Sequence, residues 1–277
     1  MKNYAIFGMI SKTYKLMSKL LIIFCVAFMC SSFHSRVVDV YSVIKVMGNI
    51  KKVNNKALAT GDKVLSDEKL IFANDQSKAA LISKEKGRLM LVATASGKVS
   101  EGLMPALSNV SSRAGGLNNA IDLENHFAGK YLILNDYEVE INSTTFPMNE
   151  SKFFFLRFNY NGEEISKKLL FAGNKLKMSA SEILKVDGKP IVLKEGTTAQ
   201  LVYRNSIDKS SEVIATFEPI FTDEKNLKKE CQLIVYEIGK GASAEDTRTQ
   251  IFAYLTENYG KPLYTNFNQW VKVNLGL

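Results

Sequence analysis

The sequence predicts a mainly β fold of the α+β class: a small N-terminal β barrel or sandwich, a second antiparallel β-sandwich-like domain, and helices at the C-terminus. Two patterns carry this. Short alternating apolar and polar runs, punctuated by Gly, Asn and Asp, fill residues 37–95 and 129–221. Apolar residues recur at three- and four-residue intervals only after residue 222.

Residues 1–32 read as a secretory signal peptide. Lys2, Lys12, Lys15 and Lys19 precede the unbroken apolar run Leu20–Cys30, and Ser31 and Ser32 follow it. A basic start, a short apolar centre and a small-residue exit have that meaning. The run is about half the ~20 residues that a membrane-spanning helix needs. Cleavage between Ser32 and Phe33 is therefore expected, with contact to the membrane only in transit. An uncleaved anchor and a buried N-terminal helix are the alternatives, and Met17 is an alternative start. Lipid attachment wants a small residue before the cysteine, whereas Met29 precedes Cys30 and Phe24 precedes Cys25.

Loss of residues 1–32 removes four lysines and no acidic residue, taking the net charge from +8 to +4. That thin balance, with no Arg/Lys stripe among aromatics, argues against nucleic acid as a partner. Cys25 and Cys30 leave with the signal, so Cys231 has no intramolecular disulfide partner. Burial must hold the fold, and roughly 245 remaining residues can supply it.

Within residues 37–95, Val38, Val40, Ser42, Ile44 and Val46 alternate with Asp39, Tyr41, Val43, Lys45 and Met47. Gly48-Asn49 is a turn from which Ile50 to Val53 is expected to return as the partner strand. Leu70 to Phe72, Ala79 to Ile82 and Arg88 to Val92 supply three more strands. Residues 96–128 are rich in Ser, Gly and Asn and read as a linker loop. A short helix closes it over residues 119–127, with Ile121 and Leu123 facing a core. Ser111, Ser112 and Arg113 in this loop are a candidate partner-binding site.

In residues 129–221 the clearest unit is Phe153 to Tyr160, then Asn161-Gly162, then Glu163 to Phe171. Asn-Gly between two strand-like runs predicts a two-residue type I′ hairpin. Ala199 to Asn205 and Glu212 to Phe217 form a second strand pair. Ser179 and Glu182 have capping-box spacing before Asp187-Gly188. In residues 222–277, Leu227, Cys231, Ile234, Val235 and Ile238 make one helical stripe, ended by Gly239. Ile251, Phe252, Leu255 and Tyr259 make another, ended by Gly260 and Pro262.

Residues 43–82 resemble the periplasmic β-domain of FecR-like proteins. The matching stretches are Met47-Gly48-Asn49-Ile50, Leu58-Ala59-Thr60-Gly61-Asp62-Lys63-Val64, Lys69-Leu70-Ile71-Phe72 and Ser77-Lys78-Ala79-Ala80-Leu81. The resemblance implies a small β-domain over about 40–95, a bacterial source and a use in protein–protein signalling. It brings no catalytic or ligand residues. Only 19 residues precede the apolar run, which argues against the family's sigma-factor role.

Reactive constellations are missing from the pattern. His34 and His126 are the two histidines, without the spacing of a zinc site. Cys231 falls on an apolar stripe and reads as a packed thiol. There is no Gly-x-Ser-x-Gly and no glycine-rich phosphate loop. Glu163 and Glu164, adjacent on a strand, point to opposite faces. Phe153, Phe154, Phe155, Phe158 and Tyr160 read as core, as does Trp270. No metal and no cofactor are expected. The reading is an exported, non-catalytic protein of the bacterial envelope, periplasmic or extracellular, that docks a partner protein through its β-domains. A carbohydrate- or peptidoglycan-binding module and an enzyme of unknown type are the alternatives.

Overall fold

The computed structural model describes residues 38–106, 117–134, 137–239 and 241–277. Ser32, Phe33, Ser111, Ser112 and Arg113 lie outside these residues.

The first sheet is built from β1 (Val40–Met47), β3 (Lys63–Leu65), β5 (Lys78–Ser83), β6 (Gly87–Val92) and β7 (Leu103–Pro105). β2 (Ile50–Lys52) and β4 (Leu70–Phe72) form a separate two-stranded sheet. The order β3-β1-β5-β6-β7 is antiparallel throughout. Tyr41, Val43, Ile50, Val64, Leu70, Leu81 and Leu91 close one core between the two sheets. The expected return of Ile50 to Val53 onto β1 does not occur, because β2 pairs with β4. Gly48, at φ 79°, packs against Ser77, and the turn there carries Ile50 into the smaller sheet. Part of the expected linker is ordered. One helical turn, α1 (Val99–Gly102), buries Val99 and leads into β7. Gly102 fits because a Cβ there would lie 2.4 Å from the Val92 carbonyl oxygen.

The next region begins with α2 (Ala120–His126), capped by Asn119, whose side chain accepts from the Asp122 amide. Leu123 is buried as expected, but Ile121 faces solvent. There follow β8 (Gly129–Leu132), β9 (Tyr137–Glu140), β10 (Lys152–Tyr160), β11 (Glu163–Lys168), β12 (Leu170–Ala172) and β13 (Lys175–Met178). Next come α3 (Ala180–Ile183), β14 (Lys185–Val186), β15 (Lys189–Pro190), β16 (Ala199–Asn205) and β17 (Ser210–Ile220). Asn161 at φ 53° and Gly162 at φ 89° make the hairpin turn that Asn-Gly favours. The Ser179 capping box does not form, since its hydroxyl pairs with that of Ser181.

At the C-terminus α4 (Glu224–Ile238) and α5 (Ala244–Asn258) match the two apolar stripes. A third helix, α6 (Tyr264–Leu275), follows β18 (Lys261–Pro262). Asp223 caps α4, and a Ser243/Asp246 capping box starts α5. β18 joins β8, so the large sheet runs β11-β10-β16-β17-β8-β18, and its last two pairings are parallel rather than antiparallel. No hairpin ties β8 to β17, so nothing local fixes their direction. The three-stranded sheet β12-β13-β9 covers one face of this sheet, burying Phe154, Leu156, Phe158, Leu176 and Met178.

Residues Val40–Leu277 make one compact unit. Its third core joins Leu227, Cys231, Ile234, Ile251, Phe252, Leu255, Phe267 and Trp270 of the helices to both sheets. The first sheet contributes Ile44, Ala80 and Ile82, the large sheet contributes Leu132 and packed Ile220, and Leu134 joins them just beyond β8. Polar ties reinforce the contact. Glu237 pairs with Lys63 at 2.6 Å and accepts from Ser42.

Candidate functional site

The helices cover only part of the outer face of the large sheet. Their core reaches Leu132, Leu134 and Ile220 at the β17-β8 end. Farther across, strand alternation and register decide what the face carries. Phe154, Leu156 and Phe158 of β10 point into the core, so Phe153, Phe155 and Arg157 point outward. Phe155 lies opposite Lys168 of β11 and Val202 of β16, and Val202 lies opposite Val213 of β17. One row therefore reads Lys168, Phe155, Val202, Val213. A neighbouring row reads Ser166, Arg157, Gln200, Thr216, and the row on the other side Phe153, Arg204, Ser211. A bulge at Ile214 keeps both Ile214 and Ala215 in the core while Val213 stays outside.

Phe153 and Phe155 are half-buried, and Val213 keeps 45% of its surface exposed. The cations of this face lie flat on it. Arg157 donates through Nε and Nη2 to Gln200 Oε1 at 2.9 and 2.7 Å. Arg204 donates to Ser211 Oγ at 2.9 Å, and Lys168 Nζ sits 4.2 Å from the centre of the Phe153 ring. Glu164, 4.0 Å from Arg157, is the acidic residue at the margin. Val202 is fully buried beneath its neighbours, so the accessible apolar surface is Val213 with parts of Phe153 and Phe155, bordered by three cations. The arrangement can cover apolar groups and pair with carboxylates.

The other residues singled out by type sit elsewhere. Cys231 is buried among the helices, and burial pushes its thiol well above the ordinary range, which suppresses nucleophilic chemistry. His126 is partly buried. Its Nε2 is 2.7 Å from the Tyr131 hydroxyl and 2.9 Å from that of Tyr137, and the hydroxyls are 3.1 Å apart. Both tyrosine protons find an acceptor if Tyr137 donates to Tyr131 and Tyr131 donates to a neutral Nε2. Burial and then nearby Lys261 lower the His126 pKa to about 4, in keeping with a neutral ring.

Glu230 is a second buried polar centre, absent from the sequence reading. Its Oε2 accepts from Tyr254 at 2.7 Å and from Tyr259 at 2.5 Å. Lys45 lies over the Tyr259 ring, 3.3 Å from its centre. A β1 bulge aims it there, since Ile44 has no separate partner between Val43 and Lys45. Desolvation lowers the pKa of Lys45, while Glu230 opposes that shift. Glu163 and Glu164 pair with Tyr160 and Asn159 and so point to opposite faces.

Sequence alone did not separate the outward phenylalanines from the core ones. The usable signal was Arg157, which shares their parity along β10. Among the described residues no group of three His, Cys, Asp or Glu side chains is placed to hold a metal ion. Compared with known protein families, curated proteins and solved structures, the chain matches none.

Proposed function

We propose that the chain is an exported, non-catalytic protein of the cell envelope that docks a partner protein on the open half of its large sheet. The observation that carries this reading is exposed Val213 with half-buried Phe153 and Phe155, and Arg157, Arg204 and Lys168 around them. Such a face fits a partner segment whose apolar residues are flanked by Asp and Glu. A second copy of the chain fits poorly, because a two-fold contact would set the same three cations against themselves. The signal-like residues 1–32 and the FecR-like residues 43–82 support the envelope setting.

A photo-crosslinking amino acid at position 213, placed in the native envelope, tests the reading. One partner with an acidic, apolar segment should be trapped, and the Arg157→Glu/Arg204→Glu variant should lose it. Trapping of the chain's own copies, or capture unchanged by the charge reversal, would overturn the proposal. The half-buried Phe153 and Phe155 also suit a carbohydrate or peptidoglycan binder. Retention on insoluble cell wall that free sugar competes away would favour that second reading.

A further inference from the structure

A cleft of about 790 Å³ opens where the β5–β6 hairpin and the end of β7 meet the connection between α4 and α5. It shares no residue with the docking face. Its size falls within the roughly 300–1,000 Å³ of small-molecule sites, too little for a macromolecular segment of any length.

Three cations line it: Lys84, Lys86 and Arg88. Lys84 and Lys86 stand on a three-residue hairpin loop that closes between paired Ser83 and Gly87. Gly87, at φ 69°, supplies the left-handed position such a loop needs, and the Lys86 amide donates to Ser83 Oγ at 3.0 Å. The two ammonium groups therefore hang from a short, fixed turn. Arg88 lies deeper, its side chain 5% exposed. It donates to Gln250 Oε1 at 2.9 Å and to both oxygens of Glu257, so its position is set before any ligand arrives. The lining acid, Asp246, is engaged by its own helix cap, accepting from the amide and hydroxyl of Ser243. Pro105, Ile238 and Ala242 supply an apolar wall.

We propose that this cleft binds a small organic anion, its carboxylate or phosphate groups between Lys84 and Lys86 and its carbon frame against Ile238. Two lysines on a short turn beside an apolar wall suit that chemistry, and the docking reading is not needed for it.

Calorimetry of the full chain with citrate and with glucose 6-phosphate, against glucose as the neutral control, provides the test and separates carboxylate from phosphate. At low salt at least one anion should bind with Kd of about 1 mM or tighter, and 0.3 M NaCl should weaken it. The Lys84→Gln/Lys86→Gln variant should lose about tenfold in affinity, because two charge-assisted contacts are gone. Its melting temperature should match the parent, both side chains being exposed. Absence of binding by both anions, equal binding of glucose, or an unchanged Kd in the double variant would overturn the proposal.

Discussion

Arg88 of β6 grips both carboxylate oxygens of Glu257 on α5, with Nη1 to Oε2 at 2.6 Å and Nη2 to Oε1 at 3.3 Å. The side chains are 5% and 15% exposed, so this pair joins sheet to helix largely out of water. Removing one partner strands the other charge. Arg88→Met should therefore cost about 3 kcal/mol or more in urea unfolding, whereas Arg88→Met/Glu257→Leu should cost clearly less. Additive losses would show that the two groups do not interact in solution.

His126 makes stability pH-dependent. Its folded pKa is lowered from 6.5 to about 4, so the unfolded chain takes up a proton first as pH falls. Stability from this group is intact above about pH 6.5 and declines down to about pH 4, where the folded state is protonated too. The span corresponds to roughly 3 kcal/mol at 1.36 kcal/mol per pKa unit. Unfolding curves of parent and His126→Gln should diverge over that window and run parallel above it. A constant difference from pH 7 to pH 4 would contradict the assignment.

Cys231 should be silent toward thiol reagents in the native state. Its side chain is fully buried, and burial raises its pKa. Labelling by a disulfide reagent at pH 8 should proceed only as fast as the helices open, and stoichiometrically in denaturant. Rapid native labelling would mean that the helical core is not closed.

Gly260 sits between α5 and β18 at φ 115°, and a Cβ there would lie 2.5 Å from the Lys130 carbonyl oxygen. Gly260→Ala meets both a left-handed backbone and a backbone clash, so about 2–4 kcal/mol of destabilisation is expected. Gly173→Ala, also at positive φ but with open space around its Cβ, isolates the conformational part. Equal losses at the two sites would remove the close-approach argument.

Tyr259 allows its two roles to be separated. Tyr259→Phe keeps the ring beneath Lys45 but drops the hydroxyl bond to Glu230, and should cost about 1–2 kcal/mol. Tyr259→Leu should cost about 1 kcal/mol more, because the cation–ring contact goes too. If the two variants melt together, the Lys45 contact adds nothing.

The strands of β10, β11, β16 and β17 and the stripes of α4 and α5 were legible because each is a local repeat with a local stop. Asn161-Gly162 even specified its turn. Less local features escaped. β2 looked like a return strand, yet its partner β4 lies some 20 residues on. Helix α6 is hidden because Gly260 and Pro262 read as an ending, whereas a new helix starts directly after them at Tyr264. The docking row was hidden for the same reason: Phe153 and Phe154 are alike in type, and only register tells which one meets Val202's neighbour Arg204 and which faces the core.

Chain order by itself determined the mainly β character and the helical C-terminus, since these follow from residue type and short-range period. Tertiary structure decided where apolar surface was left over. The helices cover both the first sheet and the Leu132–Ile220 end of the large one, and that shared burial leaves Val213 exposed and Phe155 only half-buried. Which surface stays open depends on how much apolar area distant elements bring to one another, and no short stretch of sequence contains that sum.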